Sequence, residues 1–280
     1  MKKISRRSFL AASGLTIAAL ALTACGGSAS TASSAASSVA ASSEAASTSA
    51  AAAELTTVEA GKLTMATNAA FTPYEMTTDA GAFEGIDIDT AQAIADKLGL
   101  ELQIDDMDFD AALLSVQQGK ADIAMAGVTV TDERKNVMDF SDSYATGIQS
   151  IIVPESSDIA SPDDLAGKMI GTQRGTTGYI YCSDDFGDDA VVAYDDGLTA
   201  VQALNNGQVD AVVIDNAPAK EFVAANPGLV LLDTSYAEED YAIGMAKGNT
   251  ALEDAVNAAL EELKADGTLQ SIVDKYITAE

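Results

Sequence analysis

From Gly61 onward, short apolar runs alternate with stretches of helical period. KLTMAT (62–67) reads as a strand, and DIDTAQAIADKLG (87–99) as a helix with Ala91, Ile94, Ala95 and Leu98 on one face. Asp89 and Gln92 read as a capping box at its start, with Gly99 as its stop. DAALLSVQQG and LTAVQALNNG predict helices ending at Gly119 and Gly207, and TALEDAVNAALEELKADG predicts a longer helix opened by a Thr250 and Glu253 capping box. Alternation of this kind predicts an α/β fold, a mostly parallel sheet with helices on both faces.

The pattern repeats weakly. GKLTMATNAAF from Gly61 and GKMIGTQRGTT from Gly167 share a Gly-Lys turn and a strand, so that Asn68 and Phe71 stand at the offsets of Arg174 and Thr177. QGKADIAMAG and NGQVDAVVID form a second pair, in which eight residues from Gly119 and from Gly207 lead to Gly127 and Asp215. Any two open parallel sheets share some of this patterning. The carboxyl ends of such strands are nevertheless where ligands bind, and two halves facing each other would form a cleft.

Before Gly61 the chain changes character. Residues 1–25, MKKISRRSFLAASGLTIAALALTAC, combine a basic start with an apolar stretch and a small-residue segment ending at Cys25. This predicts a secretory signal over residues 1–24 and a lipobox, with diacylglycerol on Cys25 as the membrane anchor. SRRSFL fits both a twin-arginine export motif and the basic start of the general export route. The following residues are almost wholly Ala, Ser, Thr and Gly, so 25–59 is expected to be a lipidated cysteine and a tether without a core.

Composition narrows the chemistry. The chain of 280 residues has 43 acidic against 15 basic residues, a formal net charge of −28, and no histidine. No basic patch is available for phosphates, so nucleic acid is not an expected partner. The commonest metal ligand and the commonest general base are both missing, which excludes a Ser-His-Asp triad and leaves no expected metal or cofactor. Cys182 is expected to be a free, partly buried thiol. Four arginines are present, and two of them, Arg6 and Arg7, fall in the signal. Arg134, just past an apolar run in GVTVTDER, is therefore a rare guanidinium in an acidic chain.

The stretch from Gly61 to Tyr276 resembles the polar amino acid family of bacterial solute-binding proteins, the extracellular receptors of ABC importers. The resemblance rests on ATNAAFTPYEM, GIDIDTAQAIADKLG, MDFDA, AGVTVTDERKNVMDFSDSY, RGTTG and DAVVID, in that order. It implies a two-lobe, periplasmic-binding-protein-like fold of type 2, with two open mixed sheets joined by two hinge strands near Thr146 to Ser150 and Glu239 to Ala242. Lobe 1 would take residues 60–148 and 242–280, and lobe 2 residues 149–241. The implied function is monomeric, non-enzymatic capture of a polar L-amino acid for an ABC permease.

The same resemblance implies residue roles. Arg134 would hold the ligand α-carboxylate with its planar fork. Gly127 and Thr129 would offer a carbonyl to the ammonium and a hydroxyl or N–H to the ligand. Thr177 would give the carboxylate a backbone N–H at a helix start. Asp215 would bind the ammonium, and Phe71 and Phe109 would flank the ligand side chain. Asn68 stands where many relatives have an aspartate, which favours a neutral polar side chain. Arginine and lysine stay open, because Asp108 and Asp110 flank Phe109 and the acidic field concentrates cations, and cystine is a further alternative. A carboxylate-using dehydratase on the same fold is the alternative of another class.

Overall fold

The structure, a computed structural model, describes residues 55–277. The signal, Cys25 and most of the tether therefore lie outside the described residues. The first half contains β1 (Lys62–Thr67), β2 (Ala70–Phe71), β3 (Glu75–Thr77), β4 (Phe83–Glu84), α1 (Ile86–Leu98), β5 (Glu101–Asp106), α2 (Phe109–Gln117), β6 (Ile123–Ala124), α3 (Asp132–Lys135) and β7 (Met138–Phe140). It continues through β8 (Ala145–Pro154), β9 (Ile170–Gln173), α4 (Thr177–Phe186), β10 (Val191–Tyr194), α5 (Gly197–Asn205), β11 (Ala211–Asp215), α6 (Asn216–Ala225), β12 (Leu229–Leu231) and β13 (Ala237–Tyr241). The chain then closes with β14 (Gly244–Ala246), α7 (Thr250–Ala265) and α8 (Thr268–Tyr276).

These strands make two open mixed sheets. The first has the order β5-β1-β6-β14-β7, the second β10-β9-β11-β8-β12, and β2-β3-β4 form a small antiparallel sheet beside them. In both large sheets the strand that opens the half, β1 or β9, sits between two parallel partners. The strand order thus repeats as the sequence does: α2 and α5 lead to β6 and β11, and these lead to Gly127 and Asp215.

Mixed rather than mostly parallel sheets result from the two crossings. The chain leaves the first sheet after β7 and returns at β14, so β14 runs antiparallel to β6 and β7, and β8 antiparallel to β11 and β12. The crossings pair with each other, Ala145–Gln149 of β8 against Ala237–Tyr241 of β13. They form a two-stranded antiparallel ribbon between the sheets.

Local signals placed helix ends better than helix starts. Gly99, Gly119 and Gly207 all take positive φ just past α1, α2 and α5, a conformation open to glycine because it lacks Cβ. The expected start of α1 is corrected: the helix begins at Ile86 after Gly85, which places Asp89 inside its first turn instead of at its cap. The expected Thr250 box is corrected too, since Asn249 is the cap and makes no side-chain bond there. Ala91, Ile94 and Ala95 are buried as the apolar face requires, and α1 packs against α7 and α8. No helix among the described residues is long and apolar enough to cross a membrane.

The ribbon is tightly packed. Tyr241 is fully buried, and a Cβ at Gly147, on the paired strand, would fall on its ring. Gly147→Ala is therefore expected to destabilise the fold by about 1–3 kcal/mol, the range for overpacking a core. Thermal unfolding checks this, with a lowered melting temperature expected and an unchanged one contradicting the packing account.

Candidate functional site

All eight residues assigned to a site from sequence line one cavity. They come from separate elements: Asn68 follows β1, Phe71 lies in β2, Phe109 opens α2, Gly127 and Thr129 follow β6, Arg134 is in α3, Thr177 opens α4 and Asp215 ends β11. Strand ends and helix starts of both sheets thus converge on one enclosure.

On the first-sheet side the loop after β6 is held by a buried acid. Gly127 donates its N–H to Asp87 Oδ2 at 3.0 Å, and Tyr144 donates its hydroxyl to Asp87 Oδ1 at 2.7 Å. Gly127 has φ +54, and a Cβ there would meet the rings of Phe71 and Tyr241. Thr131 caps α3 by accepting from Arg134 N at 3.1 Å. The Arg134 side chain then turns inward, donating from Nη1 to the Thr129 carbonyl at 2.7 Å and from Nη2 to the Gly175 carbonyl at 3.0 Å. Its guanidinium lies 5.3 Å from the Phe109 ring centroid, a cation–π arrangement. The residue is 8% exposed, and no carboxylate forms a salt bridge with it among the described residues.

On the second-sheet side Asp215 accepts from Ile148 N at 3.2 Å and from Gln149 Nε2 at 2.6 Å. It stands at the N-cap of α6 but makes no side-chain cap bond. Gln149 also donates to Glu239 Oε2 at 3.0 Å, an atom that accepts from Thr129 Oγ1 at 3.1 Å. Burial raises the Asp215 pKa to about 7, with the Glu239 charge acting in the same direction and the neighbouring Tyr241 hydroxyl opposing it. Burial likewise raises Asp87 to about 6, against the bonds from Gly127 and Tyr144.

The two sides touch. Arg134 reaches Gly175, Gln173 Nε2 donates to Asn68 Oδ1 at 2.8 Å, and the Thr129 and Thr177 hydroxyls lie 3.4 Å apart. Asn68 is engaged at both ends of its amide, since Nδ2 also donates to the Met107 carbonyl at 3.0 Å. Thr177 is the first residue of α4, behind the Thr176 cap, so its N–H is among those a helix leaves unpaired.

Other expectations meet a different environment. Arg174 is exposed and pairs with Asp195 at 3.0 Å. Asp108 and Asp110 are exposed and do not line the cavity. Cys182, expected to be partly buried, is fully enclosed in the second sheet's core, and burial pushes its thiol up to about 12. Sequence reasoning missed Glu75, Gln149 and Gln173, which also line the cavity, and Glu239 beside it. Glu75 lies inside the quoted FTPYEM motif, four residues after Phe71, and that proximity was the available signal.

Comparison with known proteins agrees with this geometry. The family model of bacterial extracellular solute-binding proteins, family 3, matches residues 63–279. A protein of Neisseria gonorrhoeae named "Probable histidine-binding protein" is 32% identical over 279 residues, covering 96% of this chain and 95% of its own. The L-cystine-binding protein TcyJ of Escherichia coli K12 is 31% identical over 79% of this chain and 85% of its own. Among solved structures, the arginine-, lysine-, histidine-binding protein ArtJ of Geobacillus stearothermophilus superposes with a TM-score of 0.74 at 33% identity, over 78% of this chain and 96% of its own.

The raised carboxylates predict a pH dependence. A buried acid whose folded pKa exceeds its unfolded value of about 4 stabilises the fold at low pH and loses that contribution as pH climbs to the folded value. With Asp215 at about 7 and Asp87 at about 6, the melting temperature of the ligand-free protein should fall between pH 5 and 7.5. Asp215→Asn should flatten that fall. An unaltered slope in the variant, followed by calorimetry or circular dichroism, would contradict the assignment.

Proposed function

The chain belongs to the bacterial extracellular solute-binding proteins, family 3, and on that premise we propose that it captures a free L-amino acid between its two sheets and presents it to an ABC permease. One observation carries this reading. A buried guanidinium without a carboxylate partner and a buried carboxylate, Arg134 and Asp215, line a single cavity where the two sheets meet. An α-amino acid carries the complementary pair of charges on adjacent atoms. Neither protein charge is well solvated when enclosed, and a zwitterion would supply both counter-charges at once.

Relatives named for histidine, cystine, arginine and glutamine share the α-carboxylate and α-ammonium and differ in side chain. The residues lining the cavity address that common part. Arg134 has donors left after its two carbonyl bonds to meet both carboxylate oxygens, and the Thr177 N–H adds a third contact. Asp215, assisted by the Gly127 carbonyl and the Thr129 hydroxyl, takes the ammonium. Phe71 and Phe109 provide apolar walls. The ligand is bound and released without covalent change, and the protein works as a monomer.

Arg134→Ala should leave a bound carboxylate unpaired in a dry cavity, weakening binding by roughly 150-fold to several thousandfold. Arg134→Lys keeps the charge but not the fork, so a smaller though still large loss is expected. Calorimetric titration beside a melting curve of the ligand-free variants checks both; unchanged affinity with an intact fold would remove Arg134 from the site.

The remaining part of the reading concerns location. We place the protein outside the cell, exported by its N-terminal signal and held at the membrane by lipid on Cys25. Cys25→Ala should release it from washed membranes while leaving ligand binding intact. Continued membrane association of that variant would refute the anchor.

A further inference from the structure

Glu75 is the one carboxylate in this cavity for which the reading above has no use. It is 0% exposed, it lines the cavity, and neither of its oxygens accepts a hydrogen bond. Its placement is firm, because β3 is paired on both sides, with β2 and with β4. Gly85, at φ +135, packs so closely on the backbone of Tyr74 and Glu75 that no Cβ fits between them. Within the β2–β3 pair Glu75 lies directly opposite Phe71, and residues so paired project side by side from one face. The carboxylate therefore stands next to the aromatic wall that flanks a ligand side chain.

The charges around Glu75 are all of its own sign. Asp87 is its nearest charged neighbour, within hydrogen-bonding reach if one of the two is protonated, and Asp215 and Asp106 contribute from further away. Burial first, and then the Asp87 charge, push its pKa well above the usual carboxylate range. Arg134, the buried cation of the cavity, is engaged elsewhere, by the Thr129 and Gly175 carbonyls.

Resting on the reading of the cavity as an amino acid site, we infer that Glu75 is the side-chain subsite of the ligand and selects an amino acid with a cationic side chain. A zwitterionic backbone answers Arg134 and Asp215 and leaves the buried Glu75 carboxyl, beside Asp87, with no opposite charge to face. A side-chain guanidinium or ammonium favours the ionised form of Glu75 and gives its two oxygens donors, whereas a neutral side chain brings no charge to offset it. Cystine is disfavoured, because its distal end is itself a zwitterion and brings no net positive charge. Asn68, which by its neutrality pointed to a neutral ligand, has both ends of its amide occupied by Met107 and Gln173.

The test is titration calorimetry of the full chain with L-arginine and L-lysine against L-citrulline and L-glutamine, in wild type and Glu75→Gln. Citrulline keeps the length and planar terminus of arginine but lacks the charge. In wild type the better cation should bind at least about tenfold more tightly than the better neutral ligand, as expected for a buried charge pair. Glu75→Gln should reduce that preference by at least about tenfold, with neutral affinities kept within about threefold. The inference is overturned if a neutral ligand binds wild type as tightly as the cations, if only some other amino acid binds, or if the preference survives in Glu75→Gln. It is also overturned if that variant weakens all four ligands alike, which is what a purely structural Glu75–Asp87 pair would produce. Should the variant not fold, the wild-type ranking decides alone. Wild type that binds no amino acid at all would instead refute the amino acid reading itself, a distinguishable result.

Discussion

Four carboxylates, Glu75, Asp87, Asp215 and Glu239, are buried in and around a cavity to which the protein contributes one guanidinium. A charge taken out of water must be met by hydrogen bonds or by opposite charge, and this requirement organises the surrounding structure. Asp87 gathers the loop after β6 through Gly127 and the entrance to β8 through Tyr144. Asp215 fixes the same crossing strand from the other sheet through Ile148 and Gln149. Gln149 joins Asp215 to Glu239, so both strands of the ribbon are tied into one polar network at the cavity wall.

That network sits where the two sheets meet, which links binding to the relation between the halves. Arg134 contacts Gly175, Asn68 contacts Gln173, and Thr129 contacts both Thr177 and Glu239. Arg134, Asn68, Gln173, Thr129 and Thr177 also line the cavity. A molecule that satisfies the polar groups from both sides therefore stabilises the arrangement in which the sides touch, by as much as it prefers that arrangement to any other. The ribbon of β8 and β13 keeps the halves in register, and Gly147 leaves just enough room for Tyr241 within it.

Recognition divides into two problems with different physics. The α-amino and α-carboxyl groups are common to all the ligands for which the relatives are named, and in the proposed reading Arg134 and Asp215 answer them. The side chain is a matter of residual charge. Exposed acids such as Asp108 and Asp110 act through solvent and are screened over about a Debye length, whereas Glu75 sits in the enclosure where an uncompensated charge is far more costly. The general acidity of the chain and the specific acidity of the cavity are thus separate properties.

The sequence by itself determined whatever depends on neighbours along the chain. Apolar periodicity located the alternating strands and helices, glycines marked helix ends, and the scarcity of arginine drew attention to Arg134. Motif order brought all eight site residues to positions that the fold places around one cavity. Helix starts read from capping boxes failed at Asp89 and Thr250, because a local cap competes with the entry angle that packing imposes. Only the tertiary structure decided which polar groups are buried and what each one faces. Glu75 became visible as a buried carboxyl facing only charges of its own sign, Asn68 as an amide already occupied, and Gln149 and Glu239 as links in a network, only once strands far apart in sequence were brought together. Burial and pairing are properties of contacts between distant segments, and the pattern along a single segment does not contain them.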